Sequence, residues 1–224
     1  LKGNQVVSGL ALTIFGTGVS GFLGKSYQGM PTADPFIPCV VPLLSDIPVL
    51  GPILFKQDVL VYISIILALG FWFLLYRTSW GLTIRSAGEN PAAADAVGIS
   101  VSRVRYLCTI IGGIMAGLGG AYLSLAYVPS WQENLTAGRG WIAVALVIFA
   151  LWNPLRAIAG AYLFGGVEAL AFRLQTAGIQ ISSFFLSMLP YLLTILVLVL
   201  VTVRLRQEAG APLALGVPYD REER

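Results

Sequence analysis

Chemistry has few places to reside in this chain. Its 224 residues include no histidine, which removes Ser-His-Asp and Cys-His nucleophile pairs, histidine-ligated zinc and the HExxH metalloprotease helix. The two cysteines, Cys39 and Cys108, fall on different segments and on opposite sides of the topology derived below. They read as small apolar residues rather than as a disulfide or a metal site. Gly24-Lys25-Ser26 ends like a phosphate-binding loop, but Val19 stands where that motif requires glycine. Asn134-Leu135-Thr136 matches a glycosylation sequon by chance, and the glycines of GGIMAGLGG carry no dinucleotide fingerprint after a strand. Three sets of residues survive this sorting. One is Glu168, an ionisable side chain inside an otherwise apolar run. The second is the uncharged group Asn4, Gln5, Ser8 and Thr13, with Phe15 beside it. The third is the polar stretch 77–105, RTSWGLTIRSAGENPAAADAVGISVSRVR.

The elements that must position these residues follow from composition. Hydrophobic residues make up 57% of the chain and charged residues only 11%, with a mean hydropathy of +0.81. A soluble domain carries about 25% charged residues, so this chain lacks the polar surface for a water-facing globule and is equally unlike a disordered one. A net charge of +3, scattered along the chain, leaves no nucleic-acid footprint. An integral membrane protein remains. The chain starts at Leu1 with no charged-then-apolar signal ahead of the first apolar stretch, and is read as the C-terminal part of a longer protein.

About 20 apolar residues are needed to cross roughly 30 Å of hydrocarbon as a helix. Residues 5–23, 58–76, 104–128, 154–173 and 187–203 qualify. Residues 141–152, WIAVALVIFALW, are apolar but span only roughly 18 Å as a helix. They are expected to form a half-helix buried in protein, where its ends can be satisfied. Residues 36–54 score as apolar, yet Pro38, Pro42, Pro48 and Pro52 with Asp46 break any helix there. Residues 24–57 are therefore read as an outer loop. Ten of the 14 basic residues then fall on one side of the membrane, which the positive-inside rule makes cytoplasmic. Lys25, Lys56, Arg139 and Arg173 fall outside. Trp72, Trp80, Trp131 and Trp141 lie near the interfaces. The expected fold is all-α, a polytopic transmembrane bundle over 1–203 with a half-helix, a cytoplasmic loop at 77–105 and a cytoplasmic tail at 204–224.

Membrane helices associate through close backbone approach, and small residues recur at four-residue spacing. The rows are Gly113-Gly117-Ala121, Gly112-Ala116-Gly120, Ala157-Ala161-Gly165 and Thr13-Thr17-Gly21. They are expected to pack helices within the bundle.

The cytoplasmic loop is punctuated for a short helix. Asn90 is an N-cap residue, Pro91 suits the first helical position, and Gly98 is a natural left-handed terminator. The intervening alanines favour helix but give only about two turns, unstable alone, with a small surface that a partner's backbone could approach.

Residues 85–100, RSAGENPAAADAVGIS, resemble the coupling-helix loop of permease subunits of bacterial ABC importers. The resemblance is to the simple-sugar and nucleoside group, related to ribose and branched-chain amino-acid permeases. LKGNQVVSGLAL at 1–12, GRGWIAVALVIFALWNP at 138–154, LPYLLTILVLV at 189–199 and GAPLALGVPYDREER at 210–224 match in order. Thr13 departs from a usual asparagine, and Ala150-Leu151 from a usual Gly-Arg. The resemblance implies a non-catalytic permease of the bacterial inner membrane. ATP and magnesium would be used by cytosolic ATPase subunits gripping Gly88, Glu89, Asn90, Pro91, Ala93, Ala94, Asp95 and Gly98. An extracytoplasmic binding protein would deliver a simple sugar or nucleoside. A second permease subunit, identical or homologous, and membrane lipid complete the expected partners, with no cofactor in this chain.

Asn4, Gln5, Thr13, Phe15 and Glu168 are the candidate substrate-path residues. Glu168 is intramembrane and ionisable, hence a functional candidate. Its structural alternative is a hydrogen bond or an ion pair, with Arg173 the nearest cation in sequence. The competing function is an ion-coupled secondary transporter or channel. That reading predicts paired intramembrane charges, whereas Glu168 is the only deep one expected. A membrane-embedded enzyme would need a catalytic constellation that the spans lack.

Overall fold

The computed structural model describes residues 5–32, 34, 36–40, 55–136, 138–177, 183–204 and 211–220. Helix dominates them. In chain order they form α1 (Gln5–Gly24), a 3-10 turn at Lys25–Tyr27, β1 (Cys39–Val40), β2 (Lys56–Gln57), α2 (Val59–Arg77), α3 (Ser79–Glu89) and α4 (Pro91–Ala96). Then come α5 (Val101–Tyr122), running into a π-helical turn at Leu123–Tyr127, α6 (Arg139–Phe149), α7 (Pro154–Thr176) and α8 (Ser183–Arg204). Each expected span coincides with a helix, and residues 141–149 of the expected half-helix at 141–152 fall on the short α6. By length and composition, Val6–Tyr27, Val59–Arg77, Val101–Tyr127 and Pro154–Thr176 can each cross a membrane. The protein is a multi-pass, all-α membrane protein. Residues 41–54, with Pro42, Asp46, Pro48 and Pro52, lie outside the described residues.

The chain divides into two compact units. One comprises Leu1–Ile66, Pro91–Ala137 and Gly216–Arg224, the other Leu67–Asn90 and Gly138–Leu215.

In the first unit, α1 contains no charged residue, and its large side chains are exposed, as in Ile14 at 73%. That suits a lipid-facing helix, whose backbone bonds are all internal. Thr13 and Thr17 donate their hydroxyls to the carbonyls of Gly9 and Thr13, both at 2.8 Å, so both threonine hydroxyls are satisfied within the helix. Within residues 24–57, the described positions carry little regular structure beyond a 3-10 turn at Lys25–Tyr27. A short antiparallel pair joins Cys39 to Gln57 and Val40 to Lys56. Asp58 opens α2 by accepting the Val61 N–H at 3.1 Å, as a carboxylate N-cap should, and also accepts the Tyr122 hydroxyl.

The second unit contains an element the sequence reading overlooked. Residues 77–105 were expected to hold one short helix, but α3 precedes it. Thr78 starts α3 by accepting the Gly81 N–H at 3.1 Å while donating its own hydroxyl to Leu74 at 2.6 Å. A Cβ at Gly81 would collide with the carbonyls of Leu74 and Leu75, so this sharp junction requires glycine. Arg77 lies over the Trp72 ring at 5.8 Å and Arg85 over the Tyr76 ring at 5.1 Å, pairing cations with aromatic faces at the end of α2.

α6, α7 and α8 pack on one another in this unit. Gly160 allows α7 to approach α6, since a Cβ there would stand 2.9 Å from Phe149 and 3.2 Å from Leu146. The chain reverses between them through Leu151 (φ +53°) and Trp152 (φ +54°). Asn153 then caps α7 by accepting the Leu155 N–H at 2.9 Å, with Pro154 at the first helical position. Ala150 has an ordinary φ of −71° and is fully buried. An alanine therefore fits this position without backbone strain.

Candidate functional site

The loop singled out from sequence forms the helix expected of it. α4 begins at Pro91 and ends at Ala96. Gly98 adopts φ +88°, and the chain closes with the Gly98 N–H on Asp95 at 2.9 Å and the Ile99 N–H on Ala94 at 3.0 Å. These bonds cap carbonyls that the helix end would otherwise leave orphaned. Ala94 is 2% exposed and Val101, at the start of α5, also 2%. Ala92, Ala93, Ala96, Val97 and Gly98 are exposed, Val97 at 77%. A two-turn helix too short to persist alone is thus held by its own chain through Ala94, leaving an opposite face of small side chains open. The sequence reading treated Ala93 and Ala94 as equivalent; burial separates them into an exposed position and an anchoring one.

Gly88, Glu89 and Asn90 belong to the end of α3, in the other unit. Asn90 closes α3 by donating its N–H to Ser86 at 2.9 Å, and both Glu89 and Asn90 are exposed. Gly88 accepts the Ala214 N–H at 2.9 Å, and a Cβ on Gly88 would meet Pro212 at 3.4 Å. The C-terminal segment therefore lies directly on the α3 end. In the first unit, Arg105 donates to the Val217 carbonyl at 2.8 Å. The tail expected at 204–224 is fixed to the protein where it is described.

Glu168 pairs with Arg139, not with Arg173. Arg139 Nη2 stands 3.0 Å from Glu168 Oε1, each side chain 37% exposed. Arg139 opens α6 and Glu168 lies in α7, so the charge inside the span is matched by the cation at the mouth of the half-helix. Sequence reading named Arg173 because it is the nearest cation on the same helix, although a five-position spacing is poorly aligned for an ion pair. The informative signal was Gly138-Arg139-Gly140, a cation flanked by glycines at the start of an apolar run too short to span. Gly138 has φ +80°, and a Cβ there would meet the Tyr191 hydroxyl at 3.1 Å.

The second polar set is described only in part. Asn4 lies outside the described residues, and Gln5 is described only as the first residue of α1. Thr13 spends its hydroxyl on Gly9, and Phe15 is 69% exposed. Thr13 and Phe15 belong to the first unit and Glu168 to the second. The small-residue rows also behave differently from expectation. A Cβ at Gly112, Gly113, Gly117, Gly120 or Gly165 would meet nothing within 4 Å, so those faces are open in this chain, whereas Gly160, outside these rows, packs α7 on α6. Among the described residues no group of three acidic or cysteine side chains could hold a metal ion.

Comparison with known proteins agrees with this architecture. The family of branched-chain amino acid transport system permease components matches residues 1–202. The chain is 39% identical over 246 residues to a protein of Haloferax volcanii provisionally named as a glucose ABC transporter permease, covering 99% of this chain and 74% of that one. It is 38% identical over 233 residues to the guanosine ABC transporter permease protein of Bacillus subtilis, covering 100% and 71%. A nucleoside ABC transporter permease protein of Lactococcus lactis is 39% identical over 225 residues, covering 98% and 70%. No solved structure matches. The chain belongs to the branched-chain amino acid transport system permease component family. It is a membrane-spanning permease subunit of an ABC importer.

Proposed function

We propose that this permease imports a neutral polyhydroxyl solute, a nucleoside or a simple sugar, without hydrolysing ATP itself. The likeness to sugar and nucleoside permeases over nearly the whole chain carries this reading. A branched-chain amino acid permease from Methanocaldococcus jannaschii matches only 51% of the chain. An amino acid substrate would also bring two charges into the spans, where the Glu168 carboxylate is already engaged by Arg139. The named relatives, all ABC transporter permeases, lend no support to an ion-coupled mechanism.

In this reading, cytosolic ATPase subunits using ATP and magnesium grip the exposed side of α4, Ala92, Ala93, Ala96 and Val97; the α3 end at Gly88, Glu89 and Asn90 is a separate expected contact. An extracytoplasmic binding protein delivers the solute, and a second permease subunit covers the open glycine faces. Domain division follows the same logic, with 1–203 the permease domain and 204–224 a cytoplasmic tail. Binding of nucleotide at the ATPases biases the permease between two conformations, which makes α4 the link in an allosteric coupling. Uptake of labelled guanosine and labelled glucose, in cells producing this chain with its ATPase and binding protein, tests the reading. ATPase-dependent accumulation of one of them, unaffected by excess leucine, is expected. Leucine uptake alone, or uptake that survives an inactive ATPase, would contradict it.

A further inference from the structure

The first unit contains a cavity of about 400 Å³ between the end of α1, the end of α5 and the loop at 131–136. That volume is at the small end of the range for ligand pockets. The room comes from missing side chains: Gly16, Gly21 and Gly120 face it alongside Ala121. Beside the apolar Trp131 and Leu135, its remaining lining is polar without being basic. Thr17, Ser20, Ser124 and Thr136 bring hydroxyls, Gln132 and Asn134 bring amides, and Glu133 brings a carboxylate.

The roof is built, not incidental. Trp131 seats its ring against Gly24, where any Cβ would overlap the indole, so glycine at the end of α1 sets the position of the wall. Gly29 donates to the Trp131 carbonyl at 3.3 Å and Thr32 to the Pro129 carbonyl at 2.9 Å, stitching the loop to the segment after α1. The π-helical turn at Leu123–Tyr127 shifts the helix register, and Thr32 and Phe36 satisfy carbonyls at its start. Thr32 Oγ1 donates to Ser124 at 3.2 Å and Phe36 N–H to Leu125 at 3.2 Å. Such π turns recur at functional sites. Glu133 reaches back over α1, its Oε1 3.5 Å from where a Gly21 Cβ would stand. Among the described residues nothing pairs with this carboxylate.

We propose that this pocket is a binding site for one neutral polyhydroxyl molecule, with the Glu133 carboxylate accepting from adjacent hydroxyls and Trp131 forming an apolar wall. The chemistry selects the class. A carboxylate accepts several hydrogen bonds and pairs well with neighbouring hydroxyl donors. With no basic side chain in the lining, a phosphate or a carboxylate would be repelled by Glu133 and find no counter-charge. The small residues exclude nothing of monosaccharide or nucleoside size, and the hydroxyl and amide groups serve a ligand with many donors and acceptors. This inference rests on the reading of the protein as an importer of such solutes and adds where in this chain one is held.

The test is ligand protection of a single cysteine in the assembled transporter, reconstituted in vesicles with Cys39→Ser, Cys108→Ser and Thr136→Cys. Guanosine and glucose are the probes, with guanosine monophosphate and glucose 6-phosphate as their anionic counterparts. One neutral probe is expected to slow thiol modification at least fivefold and its phosphate to leave the rate unchanged. Adding Glu133→Gln should raise the half-protecting concentration at least tenfold with the melting temperature unmoved. Gly21→Leu, which fills the cavity from a lipid-exposed helix, should abolish protection. No protection by either neutral probe, equal protection by the phosphates, or indifference to Glu133→Gln would overturn the proposal. Uptake measured on the same vesicles separates the two readings. Uptake without protection removes the pocket and keeps the import function, whereas protection without uptake keeps the pocket and removes that function.

Discussion

The Arg139 guanidinium stands 3.0 Å from the Glu168 carboxylate, tying the first residue of α6 to the interior of α7. A half-helix leaves backbone groups unsatisfied at membrane depth unless protein surrounds its ends, and this pair fixes one end. Removing a single partner strands a charge in a poorly solvated region. With each side chain keeping 37% exposure, the loss is on the order of 2 kcal/mol, less than for a fully buried pair. Glu168→Ala and Arg139→Ala should each lower the amount of folded protein in the membrane and its melting temperature. The swap Arg139→Glu with Glu168→Arg should recover most of both. A swap no better than the single variants, by fluorescence-detected size exclusion, would show that Glu168 acts on something other than Arg139.

The C-terminal segment is expected to work as a brace. Ala214 donates to Gly88 and Pro212 packs beside it, at the α3 end proposed to meet the ATPase. Deleting residues 211–224 should leave the helices inserted but reduce ATP-driven uptake severalfold, with the ATPase less stimulated by the permease. Uptake at the full-length rate would make the segment dispensable.

Leu151 and Trp152 both hold left-handed backbone without being glycine, a conformation that costs about 1–2 kcal/mol per residue. Leu151→Gly should therefore raise the melting temperature in detergent. A fall in melting temperature would mean that the Leu151 side chain contributes more through packing than its backbone costs.

Much of this was legible in the sequence, for identifiable reasons. Spans are set by apolar length, and every expected one coincides with a helix. Pro91 and Gly98 have backbone preferences strong enough to place α4 within the loop at 77–105. Three things were not legible. α3 went unseen because its start depends on one threonine cap and on Gly81 approaching the carbonyls of α2, features that carry no apolar period. The Glu168 partner lies 29 positions away in sequence, beyond any helical spacing rule. The difference between Ala93 and Ala94 depends on which face the rest of the chain covers, and identical side chains give no hint of that. For the substrate path, Thr13 and Phe15 looked suitable by residue type alone; Thr13 spends its hydroxyl on the Gly9 carbonyl of its own helix, and Phe15 is exposed.

Orientation follows from basic residues, and labelling tests it. A cysteine replacing exposed Gln132 should react with an impermeant reagent from outside intact cells, and one replacing exposed Ala93 only after permeabilisation. Labelling of Ala93→Cys in sealed cells would invert the topology and remove the docking surface from the ATPase side.

The central claim is that α4 transmits the ATPase cycle to the spans through its exposed face. Ala93→Trp adds bulk to that face, while Ala94→Trp places it where the helix is anchored. Measuring ATP hydrolysis and solute uptake together in reconstituted vesicles separates these effects. Ala93→Trp should be produced at wild-type abundance, retain basal hydrolysis and lose at least tenfold in uptake, whereas Ala94→Trp should lower abundance. Uptake by Ala93→Trp at the wild-type rate would show that α4 is a passive turn and contradict the account.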